Sequence, residues 1–287
     1  MPIYSEMDHK TLEREYSPSS CIDDIMIYIQ QYSDESKMAR VLLKNNLKSN
    51  VKYGPEERSN MDVFIPEGDG PFPIHIFIHG GYWQELSIKE SSFAAPNFIG
   101  HDITFIALDY TLAPEATLFE IVEQVRSGVV SIVKKADQFS GDITNITLSG
   151  SSAGAHLVAE ILSTDWHQYG IDHFPIKGAL CVSGIYDLVP LVNTYVNEPL
   201  KMTEEDAYKL SPINHIPDLA CPLILSYGEN ETSEFKRQTH EFADAWQQHG
   251  HYFSYIDMPK FNHFDIIMEL NNRESPLFKS IYNIISA

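Results

Sequence analysis

The stretch TLSGSSAGAHL, residues 147–157, decides the reading of this chain. Gly150, Ser152 and Gly154 alternate there, between an apolar run of β type and an apolar run of helical type. A glycine-rich turn joining a strand to a helix accounts for the composition. A nucleophile elbow accounts for the spacing as well: in G-x-S-x-G the serine is lifted above an α/β sheet on a strained turn. The glycines flank the serine because a residue without Cβ lets strand and helix approach closely.

Outward from that stretch, short apolar runs alternate with helical patterns. MDVFIP, IHIFIHG, ITFIALDY, ITLSGSS, GALCVSGI, LILSYGE and FSYIDMP are rich in Ile, Val, Phe and Tyr, and most are bounded by Gly, Pro or Asp. Their near-continuous apolar character predicts strands covered on both faces, as in a parallel sheet. Between them, Val122, Val125, Val129, Ile132 and Val133 form one stripe at helical spacing. The alternation predicts the α/β class, a mostly parallel central sheet flanked by helices. Residues 1–50 are polar and rich in Ser and Tyr, and are expected to form an arm or cap packed on a main domain of residues 51–287. Residues 190–217 read as an irregular insert, placed where loops at strand ends build the ligand site of such sheets.

The serine needs a base, an acid to orient the base, and donors for an oxyanion. In this fold the order is Ser, acid, His. FNHFDII follows the last strand, so His263 is the expected base. The acid is sought in GENETSEF, where Glu231 at the loop tip is preferred, Glu229 is the competitor, and Glu234 is assigned to the start of the next helix. Asp187 and Asp109 are read as braces of their loops. FIHGGYWQ, residues 77–84, exposes backbone N–H groups after an early strand, which assigns Gly81, with Gly80 beside it, and Ala153 to the oxyanion hole. His79 is expected to brace that loop. Tyr82, Trp83 and Tyr16 are the expected aromatic lining of the substrate slot, with ordinary core packing as the competing role.

Composition narrows the partners. The 287 residues carry 20 basic and 40 acidic side chains, a formal charge of −20, which disfavours nucleic acid and anionic membranes. Cys21, Cys181 and Cys221 form neither a disulfide framework nor a zinc pattern and suit a reducing compartment. The first residues, MPIYSEMDHK, do not read as a signal peptide, so the cytoplasm is expected. There is no phosphate-binding loop, no H-E-x-x-H and no dinucleotide fingerprint, so neither cofactor nor metal is expected. The expected partner is a small aromatic amide or ester, with a homodimer left open.

LEREYSPSS, HGGYW, LDYTLAPEATLFEIVEQVR, GSSAGAHL with STDW, SGIYDL, GENETSEFKRQ and NHFDI together resemble the arylformamidase (kynurenine formamidase) family of α/β hydrolases, through nearly the whole chain. The resemblance implies hydrolysis of N-formyl-kynurenine to kynurenine and formate, with Ser152 as nucleophile, His263 as base and position 231 as acid. Here the chain departs from the family, which usually has Asp at that position; Glu is one methylene longer. A carboxylesterase acting on small acyl or aryl esters is the first rival reading. A non-catalytic binding protein of the same fold is the second.

Overall fold

The computed structural model describes residues 3–287. Eight strands form one sheet: β1 (Leu47–Lys52), β2 (Asn60–Phe64), β3 (Phe72–Ile78), β4 (Thr104–Leu108), β5 (Gly141–Ser151), β6 (Ile176–Val182), β7 (Leu223–Asn230) and β8 (Phe253–Asn262). The order across the sheet is β1-β2-β4-β3-β5-β6-β7-β8. β2 runs antiparallel to both β1 and β4, and every other pairing is parallel. The helices are α1 (His9–Glu15), α2 (Ile25–Leu42), α3 (Ala95–Ile99), α4 (Leu118–Lys135), α5 (Ala153–Leu162), α6 (Asn197–Leu200), α7 (Glu204–Lys209), α8 (Ser233–Gln248) and α9 (Pro276–Ser286). Among the described residues no helix is long and apolar enough to cross a membrane.

Two hydrophobic clusters pack the sheet. One gathers Ile74, Ile76 and Ile78 of β3 with Val122, Val125 and Val129 of α4 and with most of α5. The other gathers Phe77 and Phe105 with Phe98, Phe278 and Ile281. Adjacent residues of one strand, Ile76 and Phe77, enter different clusters because successive side chains of a strand face opposite ways. Helix α4 starts where its sequence dictates. Thr117 and Glu120 exchange side-chain-to-backbone hydrogen bonds in a capping box, and the valine stripe then turns inward.

The seven apolar runs all fall on strands, and β1 is the element the sequence pattern misses. Its residues LKSNVK are mostly exposed, so an edge position on the sheet gives them no apolar alternation to display. β1 spans residue 50, so the expected boundary between arm and main domain falls inside a strand of the common sheet. Helix α2 lies against the residues after β3: the Ser92 N–H donates to Ser36 Oγ at 3.0 Å, and Arg40 donates to the Ile88 carbonyl at 2.9 Å.

Glycine at 154 is a steric requirement. A Cβ there would lie 2.1 Å from the Ile78 carbonyl oxygen at the end of β3, and one on Gly150 would lie 2.4 Å from the Gly154 backbone. Both approaches involve main chain, which has no rotamer to escape into. Gly154→Ala is therefore expected to cost about 3 kcal/mol or more of stability. Gly170→Ala, at φ +71° with open space around it, is expected to cost only about 1–2 kcal/mol. Urea midpoints of the two variants check the order.

His75 of β3 is fully buried, stacked on Phe98 at 4.3 Å between ring centres, with its nitrogens 2.9 and 2.7 Å from the Thr147 and Ser149 hydroxyls. Burial lowers its pKa to about 3. An unfolded histidine takes up a proton near pH 6.5. Between those values the unfolded chain holds a proton that the folded chain refuses, so stability drops by about 1.4 kcal/mol for each unit by which the pH is lowered. His75→Gln should flatten that slope by up to one proton in denaturation measured from pH 7 to pH 4.

Candidate active site

β5 delivers Ser152 to a backbone conformation of φ 57° and ψ −121°, outside the regions ordinary residues favour. The turn is over-determined by its surroundings. The Ser152 N–H donates to the Val182 carbonyl at 2.9 Å, and α5 begins at once with Ala153. A Cβ on Gly80 would lie 2.7 Å from the Ser151 carbonyl and 3.2 Å from the Ser152 Cβ, so the loop after β3 rests directly on the elbow. That is where the glycine of HGGYW is required.

The loop itself runs through three successive positive φ values, +91° at Gly81, +49° at Tyr82 and +60° at Trp83, the last two strained for residues with a side chain. Among the described residues neither the Gly81 nor the Ala153 N–H has a recorded hydrogen-bond acceptor, and α5 presents Ala153 as its first residue. His79 braces the loop from beneath. Its ring stacks on Tyr110 at 4.3 Å, Nδ1 lies 2.9 Å from the Gly80 carbonyl, and Nε2 lies 3.2 Å from Asp109 Oδ1. Asp109 also accepts from Arg58 at 2.7 Å. Burial alone would push the Asp109 carboxyl up, but the hydrogen bonds and positive charge from His79 and Arg58 outweigh it and hold the group below its ordinary value.

On the other side of the elbow, His263 follows β8 and is 5% exposed. Its Nδ1 lies 2.8 Å from Glu231 Oε2. The second carboxylate oxygen of Glu231 accepts from the Ser183 hydroxyl and the Gly228 N–H, both at 2.6 Å. Glu229 points elsewhere and accepts from the Lys260 N–H at 2.9 Å. The extra methylene of Glu231 is accommodated because its side chain folds back over the end of β7, onto Gly228. Ser183, at φ 52° past the end of β6, belongs to this arrangement and was not singled out from the sequence. Its strand-end position in CVSGI is visible there; which carboxylate its hydroxyl meets is not.

Ser152 and His263 line one cavity of about 240 Å³. Among the described residues the Ser152 hydroxyl and His263 Nε2 have no hydrogen-bond partner, and no direct bond joins them; such contacts commonly tighten only when substrate is bound. The lining is apolar on the arm side, with Ile25, Ile29 and Tyr32 facing Phe77, Phe93, Phe264 and Ile267. Gly80, Gly81, Tyr82 and Tyr195 also contribute, the last from the insert at 190–217.

Two expected lining residues are corrected. Trp83 is fully buried, edge-on to His156 at 5.0 Å, and Tyr16 is 1% exposed with its hydroxyl engaged by Glu234 and Gln238. Neither lines the cavity. Trp83 packs its indole into the core, and Tyr16 is held among polar partners on α8. The aromatic and aliphatic wall comes instead from Ile25, Ile29 and Tyr32 of α2 together with Phe77, Phe93, Phe264 and Ile267. Asp187 braces its own loop, accepting from the Val189 N–H at 3.1 Å. Among the described residues no three His, Cys, Asp or Glu side chains are grouped to hold a metal ion.

A mostly parallel sheet with a serine at the strand-to-helix elbow after β5 is the architecture of the α/β hydrolases. Residues 61–246 match the BD-FAE family. The kynurenine formamidase of Salmo salar is 39% identical over 94% of each chain, and that of Danio rerio is 37% identical over 99% of each. A crystal structure described as a thioesterase candidate from Silicibacter is 26% identical and superposes with a TM-score of 0.83 over 96% of this chain and 99% of the other. The chain therefore belongs to the kynurenine formamidase family of α/β hydrolases.

Replacing Glu231 by Gln leaves the shape but removes the charge that orients the imidazole, and should lower kcat by about 10⁴-fold. Glu229→Gln should leave kcat within about twofold, since no contact links it to His263. Steady-state kinetics of the two variants side by side provide the check, and the reverse order would move the acid to Glu229.

Proposed function

We propose that the protein is a serine hydrolase that converts N-formyl-kynurenine into kynurenine and formate, a step of tryptophan breakdown, in the cytoplasm that its three unpaired cysteines suit. The observation that carries the reading is the meeting of the strained Ser152 and the Glu231-held His263 on one cavity. The substrate comes from the family to which the chain belongs.

Each step uses side chains, backbone N–H groups and water. Ser152 Oγ attacks the formyl carbon while His263 Nε2 takes the hydroxyl proton. The negative charge then forming on the carbonyl oxygen is met by the N–H groups of Gly81 and Ala153, which need to stand about 3 Å from it. Glu231 holds the imidazole through Nδ1 and stabilises the imidazolium. His263 next gives its proton to the arylamine nitrogen as the C–N bond breaks, and the amine leaves. Water attacks the formyl ester while His263 takes a proton from it; His263 then returns that proton to Ser152 Oγ as the ester C–O bond breaks, and formic acid leaves, ionising to formate.

The cavity suits this leaving group. Its apolar arm side accepts an aromatic ring, and the acyl side needs to hold only a hydrogen. Glu85 and Glu90 face the same cavity, while among the described residues no Lys or Arg does, which favours the ammonium end of an amino-acid leaving group.

Ser152→Ala should abolish turnover and labelling by a fluorophosphonate; labelling that survives would put the nucleophile elsewhere. In the native enzyme, kcat/KM for N-formyl-kynurenine should equal or exceed that for p-nitrophenyl acetate. A formamide rate thousands of times below the ester rate would instead favour a carboxylesterase.

A further inference from the structure

Three loops must hold fixed positions for the proposed chemistry: the oxyanion loop at 80–83, the acid-bearing loop at 229–233 and the base-bearing loop at 262–264. They come from distant parts of the chain, and the arm touches all three. Tyr32 donates its hydroxyl to the Phe264 carbonyl, beside His263. The more telling contacts lie at the C-terminal end of α1. The last carbonyls of a helix have no partner within it. There, the Glu15 carbonyl accepts from the Thr232 hydroxyl at 2.6 Å, and the Tyr16 carbonyl accepts from the Tyr82 hydroxyl at 2.6 Å. Two neighbouring orphan acceptors are thus each taken by a different catalytic loop.

The side chains repeat the connection. The Glu15 carboxylate accepts from the Ser233 N–H at 2.9 Å and the Ser233 hydroxyl at 2.6 Å, capping the start of α8 two residues past Glu231. The buried Tyr16 hydroxyl donates to Glu234 at 2.7 Å and accepts from Gln238 at 2.8 Å. Meanwhile the loop that Tyr82 anchors is strained at Tyr82 and Trp83. Such a backbone persists only where its surroundings over-determine it.

We propose that Glu15 and Tyr16 are positioning residues for catalysis. They hold the oxyanion loop, through Tyr82, and the acid-bearing loop, through Thr232 and Ser233, at a fixed separation. The arm is thereby part of the catalytic apparatus as well as a wall of the cavity. Donors aimed at an oxyanion act in the transition state and hardly at all in the ground state, so loosening the clamp lowers kcat and spares KM. The inference rests on the proposed roles of Ser152, His263 and Gly81.

Tyr82→Phe keeps the ring and removes only the hydroxyl. It should retain the fold, by circular dichroism and thermal midpoint, and lower kcat about tenfold with KM within about twofold. The affinity of an aryl trifluoromethyl ketone, which forms a tetrahedral adduct, should fall by the same factor, while inhibition by kynurenine stays unchanged. Glu15→Ala should lower kcat in the same manner, and Glu15→Gln, which keeps an acceptor for Ser233, should restore most of it. A rise in KM alone would make Tyr82 a substrate contact and overturn the clamp. So would an unchanged kcat in both Tyr82→Phe and Glu15→Ala, even with a lowered thermal midpoint. Failure of the underlying catalytic reading shows separately, as turnover or fluorophosphonate labelling that persists in Ser152→Ala.

Discussion

The backbone of Ser152 is held where a residue with a β-carbon resists going. At φ 57° and ψ −121° the turn carries a cost of order 1–3 kcal/mol, which the rest of the structure has to offset. It does so by close packing of main chain on main chain. Gly150 rests on Gly154, Gly154 on the end of β3, and Gly80 on the carbonyl of Ser151. Two strands, one helix and the loop after β3 converge within the space that three missing side chains leave. Because those contacts are backbone, the serine and the loop that faces it cannot drift apart independently.

The Glu231–His263 pair is fixed by a different physical means. Glu231 and His263 are buried, and a buried carboxylate is costly unless its oxygens are satisfied. Here one oxygen faces the imidazole and the other accepts two short hydrogen bonds, from Ser183 and Gly228. The imidazole is flanked by Phe235 at 4.5 Å and Phe264 at 5.2 Å between ring centres. Aromatic walls exclude water from the pair, which strengthens the electrostatic contact between them.

The arm joins these two halves. It provides an edge strand to the sheet, an apolar wall to the cavity through Ile25, Ile29 and Tyr32, and hydrogen-bond acceptors to two loops at the end of α1. An element that looks peripheral by composition is structurally central, because Ile25, Ile29 and Tyr32 line the cavity and the Glu15 and Tyr16 carbonyls are taken by loops of the main domain. Its polar, exposed residues dominate the composition and conceal this.

By itself the sequence determined the parts whose signal is local. Apolar runs gave seven strands, glycine spacing placed the elbow at Ser152 and the loop at Gly80 and Gly81, and chain order singled out His263. These are legible because a strand, a turn and a helix start are dictated by neighbouring residues. The tertiary structure alone decided what depends on residues far apart in the chain: that Glu231 rather than Glu229 meets His263, that Ser183 supports it, and that Trp83 and Tyr16 pack away from the cavity while α2 lines it. It also decided that LKSNVK is a strand, since an exposed edge is shaped by hydrogen bonds to its neighbour and needs no apolar pattern. The physical division is between propensity, which acts over a few residues, and the direction in which a side chain points, which is fixed only when distant segments compete for the same space.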